Sequence, residues 1–292
     1  MPKCPTPAQI ERYREEGCVF PIRIMSETEA AALRVRLEAF ERRTGGPLEG
    51  DMRHKSHLLF VWLAELVRCR SILDAVEDLH GPDLLCWTTN FFIKEAADPA
   101  FVSWHQDSTY WGLSRPDVVT AWVAFTPATE ANGAMEYIPG SHKLDQIPHR
   151  DTFAKHNLLT RGQEVMVEVD HSRRRIITLR PGEMSLHHVR LVHGSPPNPS
   201  NDRRIGLPSA ISRRVWRSSP ARTAPPSCAA RIATTISCRS RSRSAISTRN
   251  SSHFTARSPS ATPGSSITAP KSPATTSQRR WRNAVEPASW AG

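Results

Sequence analysis

The chain is 292 residues long and carries 39 Lys+Arg against 28 Asp+Glu, but the charge is split: residues 208–292 hold 14 of the bases and a single acid, Glu286, leaving 25 bases against 27 acids in residues 1–207. No apolar run is long enough to span a membrane, Met1-Pro2-Lys3-Cys4 opens no signal peptide, and Cys4, Cys18, Cys69 and Cys86 show neither CxxC spacing nor a disulfide framework. The expectation is a soluble, cytoplasmic protein with reduced thiols, whose first ~200 residues suffice for one domain with a sizeable core.

Residues 1–80 read as a helical scaffold. Thr6 can cap and Pro7 can open a polar helix that ends at Gly17, because Pro suits the first helical position, where the missing N–H has no partner anyway. Cys18 to Ile22 is a short strand. Ser26 with Glu29 forms a capping box before Ala31, Leu33, Leu37 and Phe40, and Gly45-Gly46 stops that helix. His57 to Val67 is another helix, packed by Leu58, Leu59, Val61, Trp62 and Leu66.

From residue 84 the apolar period changes to two. Leu84 to Lys94, Val118 to Phe125, Ala134 to Ile138, Ile176 to Leu179 and Met184 to His187 read as strands, with turn signals at Asn132-Gly133, Pro139-Gly140 and Pro181-Gly182. Many short strands with Gly and Pro punctuation argue for a mainly β fold with flanking helices, a double-stranded β-helix (jelly roll, cupin-like) over residues 81–207.

Within that core, Trp104-His105-Gln106-Asp107 follows the first long strand. Side chains at i and i+2 of an extended segment point to one side, so His105 and Asp107 can grip one metal ion. A lone HxD is equally a surface loop, and the third candidate, His193 in Leu191-Val192-His193-Gly194-Ser195, decides between them. Two imidazoles and one carboxylate on adjacent strands make the facial triad of non-haem Fe(II), whereas structural zinc prefers four protein ligands. Arg204, preceded by Arg203, can bind the far carboxylate of a dicarboxylic co-substrate in two-point fashion. Taken alone the pair could equally be solvated.

His105-x-Asp107, the segment Asn132-Gly133-Ala134-Met135-Glu136-Tyr137-Ile138-Pro139-Gly140-Ser141-His142, and His193-Gly194-Ser195 through Asn198, Ser200, Arg203 and Arg204 together resemble the phytanoyl-CoA dioxygenase family, Fe(II)/2-oxoglutarate oxygenases that include ectoine hydroxylase relatives. The resemblance covers about residues 8–207. It implies that His105, Asp107 and His193 ligate iron, that Arg204 pairs with 2-oxoglutarate, and that Trp122 and Ser195 border the co-substrate, although Trp122 also reads as a core aromatic. It further implies O2 as second co-substrate and hydroxylation of a small organic metabolite, coupled to conversion of 2-oxoglutarate to succinate and CO2. Asp107 stands where the family's halogenases carry a small residue, which favours hydroxylation. Phe92, Tyr110 and Trp111 flank the HxD loop as candidates for the substrate mouth; His142, His187 and His188 read as supporting or packing residues, since the triad is complete without them.

Beyond Leu207 the chain turns Ser/Arg/Pro-rich with no sustained period, the signature of disorder. Read one base out of register, the codons of Leu207 to Arg217 permit an alternating strand that runs into a Pro turn, and those of Pro220 to Ser237 permit an ordinary globular sequence. The reading is that one base was lost near the Leu207 codon, that residues 208–292 are out of frame, and that the core is truncated at its last strands, because Pro208 cannot donate to a ladder. The competing readings are an inactive, disrupted oxygenase, a cupin-like module that holds metal without turnover, and a tail that binds nucleic acid non-specifically.

Overall fold

The side chain of Thr6 accepts from the Gln9 amide while the Gln9 side chain accepts from the Thr6 amide, and this reciprocal cap starts α1 (Pro7–Glu16), which stops at Gly17. β1 (Cys18–Arg23) follows, then α2 (Glu27–Thr44), opened by the Ser26/Glu29 box and closed at Gly45. The structure, a computed structural model, describes residues 5–112, 115–213 and the backbone of 234–237; the side chains of Asp51 and Tyr110 lie outside that description.

The helix expected over His57 to Val67 is shorter. His57 hydrogen-bonds Thr89 through both its backbone N–H and its ring, which pins residues 56–58 as a 3-10 turn, and α3 runs only over Val61–Val67. Leu63, Leu66 and Val67 fill the core instead of Leu58, Leu59 and Val61, which are exposed. Likewise Ala30 rather than Ala31 is the buried alanine of α2. α4 (Arg70–His80), not anticipated, packs Ile72, Leu73, Ala75 and Val76 inward.

The expected strand Leu84 to Lys94 is broken at Asn90-Phe91 into β2 (Asp83–Thr89) and β3 (Phe92–Lys94). Then come β4 (Val102–His105), β5 (Val118–Ala124), β6 (Glu136–Tyr137), the hairpin of β7 (His149–Asp151) and β8 (Gln163–Val165), and β9 (Arg175–Ile176). β10 (Glu183–His188), β11 (His193–Ser195), β12 (Arg204–Arg213) and β13 (Thr234–Ser237) complete the described strands. The major sheet runs β1-β10-β5-β12-β2-β13, with β3 also on β12, and a minor sheet runs β4-β11-β6-β9. Alternation along the major sheet sends Val119, Ala121, Val123, Met184, Leu186, Ile205 and Leu207 into the core shared with the helices. The opposite face, with Thr120, Trp122, His187 and Arg204, borders a cavity that the minor sheet closes. The fold is the expected double-sheet jelly roll.

One boundary is corrected. β12 does not end at Leu207 but continues to Arg213 between β5 and β2, with Ser209, Ala210, Ile211 and Ser212 buried. In a strand the N and the C=O of one residue face the same neighbour. The Pro208 carbonyl accepts from Asn90 N at 3.1 Å, so its missing N–H falls where β2 gives way to β3 and breaks no ladder. The remaining tail, expected to be disordered, lies outside the described residues apart from β13. No helix among the described residues is long and apolar enough to cross a membrane.

Candidate active site

The two imidazoles of the triad are brought together by strand pairing. β11 lies antiparallel to β4 with His193 opposite His105, and the ring centroids are 4.2 Å apart. Asp107 follows after one extended residue and opens a 3-10 turn, Asp107–Tyr110. The intervening Gln106 is pinned the other way: its amide N–H donates to His149 Nε2 and its side chain bonds Arg190 O and Ile147 N. Asp107 Oδ1 thereby lies 3.4 Å from His105 Nε2 and 3.8 Å from His193 Nε2. Among the described residues these three form the one His/Cys/Asp/Glu group suited to a metal, with ligand atoms within 4.8 Å of one another.

The tautomers fit a metal. His105 Nδ1 lies 2.9 Å from Ser103 O and 3.1 Å from His193 O, and His193 Nδ1 lies 2.9 Å from Leu191 O. A proton on each Nδ1 can be donated to these carbonyls, which leaves both Nε2 lone pairs for an ion. Burial, reinforced by His105, pushes His193 down to about 3, so it is neutral. Burial alone would raise the Asp107 carboxyl, but the facing imidazoles of His105 and His187 outweigh it and hold the group well below the usual carboxylate range. Two imidazoles and a carboxylate are a donor set suited to Fe(II).

At the other end of the cavity stands Arg204. It is 2% exposed and its Nη1 donates to Gly133 O at 2.9 Å, while its Nε has no partner. Burial lowers it to about 10, so the guanidinium stays charged at neutral pH, with donors left over for a carboxylate. It lies 5.5 Å over the Trp122 ring, and Trp122 lines the cavity as well as filling core. Ser195 Oγ donates to Gly133 O at 3.0 Å. Gly133 has φ +71°, and a Cβ there would meet Pro196 O and Pro197 O at 2.4 Å, so glycine is required for this carbonyl to sit between Arg204 and Ser195.

Sequence reasoning missed Lys94. It is fully buried, its Nζ donates to Ser195 Oγ and Pro196 O, and burial followed by repulsion from Arg204 lowers it to about 6. Two basic side chains thus converge on one buried polar corner. Of the mouth candidates, Phe92 lines the cavity, Trp111 packs beside Val118, Val189 and Ala210, and the Tyr110 side chain is outside the described residues. Arg203 instead ties Glu41 of α2 to Glu95. His142 packs on His188, while His187 reaches the site, its Nε2 3.5 Å from Asp107 Oδ2.

This geometry has relatives. A probable alpha-ketoglutarate-dependent hypophosphite dioxygenase from Stutzerimonas stutzeri is 31% identical over 170 residues, 56% of this chain, and the chain spans 58% of that protein's length. The L-proline trans-4-hydroxylase of Streptomyces griseoviridis is 26% identical over 220 residues, covering 67% of this chain and 82% of that one. The solved structure of the non-heme monooxygenase ThoJ, in its apo form, superposes with a TM-score of 0.67 at 30% identity, covering 78% of this chain and 83% of its own. The phytanoyl-CoA dioxygenase (PhyH) family pattern matches residues 3–206. That stretch takes in the triad, Lys94, Ser195 and Arg204, and on it the chain belongs to the phytanoyl-CoA dioxygenase family.

Proposed function

We propose that the chain is an Fe(II)- and 2-oxoglutarate-dependent dioxygenase that hydroxylates a small organic metabolite. The observation that carries this reading is a single cavity with a buried His105/Asp107/His193 triad at one end and the under-satisfied guanidinium of Arg204 at the other. A module that merely stores metal has no use for Arg204, whose burial costs free energy unless an anion compensates it.

His105, Asp107 and His193 would hold Fe(II), and Arg204 with Ser195 would hold the far carboxylate of 2-oxoglutarate, with Lys94 bonded behind Ser195. Bound together with O2, these groups supply the oxidising power for C–H hydroxylation, with succinate and CO2 as co-products. The protein's part is to position. Gly133 O fixes Arg204, Trp122 walls the co-substrate's flank, and the two sheets shield the reacting centre from water. The substrates named for the hypophosphite dioxygenase and the proline hydroxylase are small molecules, which supports a small metabolite here. The reading places the enzyme in the cytoplasm with no membrane or nucleic-acid partner.

For the chain as a whole we propose a helical scaffold in residues 1–80, an oxygenase core in 81–213, and an out-of-frame reading that begins at 208 and so includes the end of β12. The test of function is substrate-stimulated succinate release with Fe(II) and 2-oxoglutarate, across candidate metabolites, in wild type and Asp107→Ala. Release that persists in Asp107→Ala rejects the site. Resequencing across the Leu207 codon tests the frame: a base found missing makes the tail an artefact, and a sequence that stands as written makes the chain a disrupted oxygenase.

A further inference from the structure

The two oxygens of Asp107 face different partners. Oδ1 is turned to the ligand imidazoles of His105 and His193, at 3.4 and 3.8 Å, whereas Oδ2 accepts from Thr120 Oγ1 at 3.2 Å and lies 3.5 Å from His187 Nε2. Thr120 and His187 are directly opposed residues of β5 and β10, so they form one rigid platform on the major sheet, across the cavity from the strands that carry the histidine ligands. His187 is 1% exposed and its Nδ1 has no hydrogen-bond partner; its ring lies against that of His193, centroids 4.9 Å apart, and its Nε2 faces the Asp107 carboxylate. An apolar residue would fill a packing position without leaving a buried nitrogen unsatisfied. Alternation separates it from its neighbour: His188 turns to the opposite side, against His142.

We infer that His187 is a positioning residue that, together with Thr120, holds Oδ2 of Asp107, so that only Oδ1 is left for a metal. Through Nε2–H it completes a two-point grip on the carboxylate oxygen that the ligand histidines do not face. The inference rests on the metal-site reading above. Its consequence is that metal affinity depends on His187 through Asp107, not through the core.

The full-length chain is titrated with Mn(II) in the presence of 2-oxoglutarate, and free Mn(II) is followed by electron paramagnetic resonance. His187→Phe weakens Mn(II) binding by about tenfold or more, the loss usual for a partner that orients a ligand. His187→Gln, whose amide N–H can reach the same oxygen, recovers most of it. In an Asp107→Ala background His187→Phe has no further effect, whereas a residue that only props up the core would cost the same in both backgrounds. Equal affinity in wild type and His187→Phe overturns the inference, and so does an equal loss with and without Asp107. A crystal structure of the wild type with Mn(II) tests the same grip without any substitution: Asp107 bound through Oδ1 alone, with His187 Nε2 hydrogen-bonded to Oδ2, supports it, and a two-oxygen Asp107 or a metal-bound His187 overturns it. A wild type that binds no Mn(II) sinks the oxygenase reading together with this one, while normal wild-type binding with an indifferent His187 sinks this one alone.

Discussion

Gly206 lies where β12 crosses the co-substrate end of the cavity, opposite Ala124 of β5 and Phe92 of β3. A Cβ added there would stand 1.9 Å from Trp122 Cζ2, 2.4 Å from Cη2 and 2.5 Å from Cε2. Carbon atoms in contact prefer roughly 3.5–4.0 Å, so the indole would have to retreat by about 1.5–2 Å. Trp122 is 5% exposed and packed on Ala124, Ala134 and Tyr137, which leaves it little room. Gly206→Ala should therefore cost the roughly 1–3 kcal/mol typical of overpacking, a fall in Tm of about 2–12 °C for a domain of this size. The displaced ring also leaves Arg204, whose guanidinium it underlies. Losing a contact of about 1 kcal/mol should weaken 2-oxoglutarate binding about fivefold. Thermal melts and calorimetric titration of 2-oxoglutarate with Mn(II) present read both effects. Gly46→Ala, with nothing within 4 Å of its Cβ, serves as the control that should melt like wild type. Trp122→Phe in the Gly206→Ala background should restore part of the melting temperature, because a phenyl ring ends short of the clashing atoms. If Gly206→Ala melts within a degree of wild type and keeps its 2-oxoglutarate affinity, the close packing of Gly206 on Trp122 is not what shapes this end of the cavity.

Lys94 gives a pH prediction. Its folded value of about 6 lies below the ordinary 10.5, so above pH ~6 a bound dianion must draw a proton onto it, and 2-oxoglutarate affinity should fall by up to about tenfold per pH unit until the value in the complex is passed. Lys94→Met should flatten that slope in calorimetric titrations. The same depression means that the folding penalty of Lys94 is complete below pH ~6 and fades as pH rises toward 10.5, so apo Lys94→Met should be more stable than apo wild type at neutral pH, measured by urea titration. Ser26→Ala removes the reciprocal cap of α2 and should cost about 1 kcal/mol of stability without altering co-substrate affinity. Arg204→Met should abolish 2-oxoglutarate binding while leaving Mn(II) binding in place, because the guanidinium belongs to the other end of the cavity.

What could be read from the chain followed from how local each signal is. The caps at Thr6 and Ser26 are decided within four residues, and both form as read. The triad was legible because His105 and Asp107 announce themselves by spacing and His193 by its Gly-Ser neighbours, and strand pairing then set the imidazoles face to face. Lys94 was not legible. At the end of Phe92-Ile93-Lys94 a lysine reads as a solvent-facing residue, and only the return of β12 and the Ser195 loop encloses it. His187 and His188 are indistinguishable in sequence, and it is the pairing of His187 with Thr120 that turns one ring toward Asp107. The end of β12 failed for a related reason. A proline in an inner strand is forbidden only where its missing N–H meets a continuous ladder, and whether it does depends on the break at Asn90-Phe91 more than a hundred residues earlier. The residues of the candidate site could thus be named from the chain, whereas those that surround them are defined by which strand comes back beside which. For this site the consequence is concrete: substitutions at Thr120, His187, Gly133 and Gly206, none of them ligands, should separate metal affinity from co-substrate affinity, because the first two grip Asp107 and the last two shape the corner around Arg204.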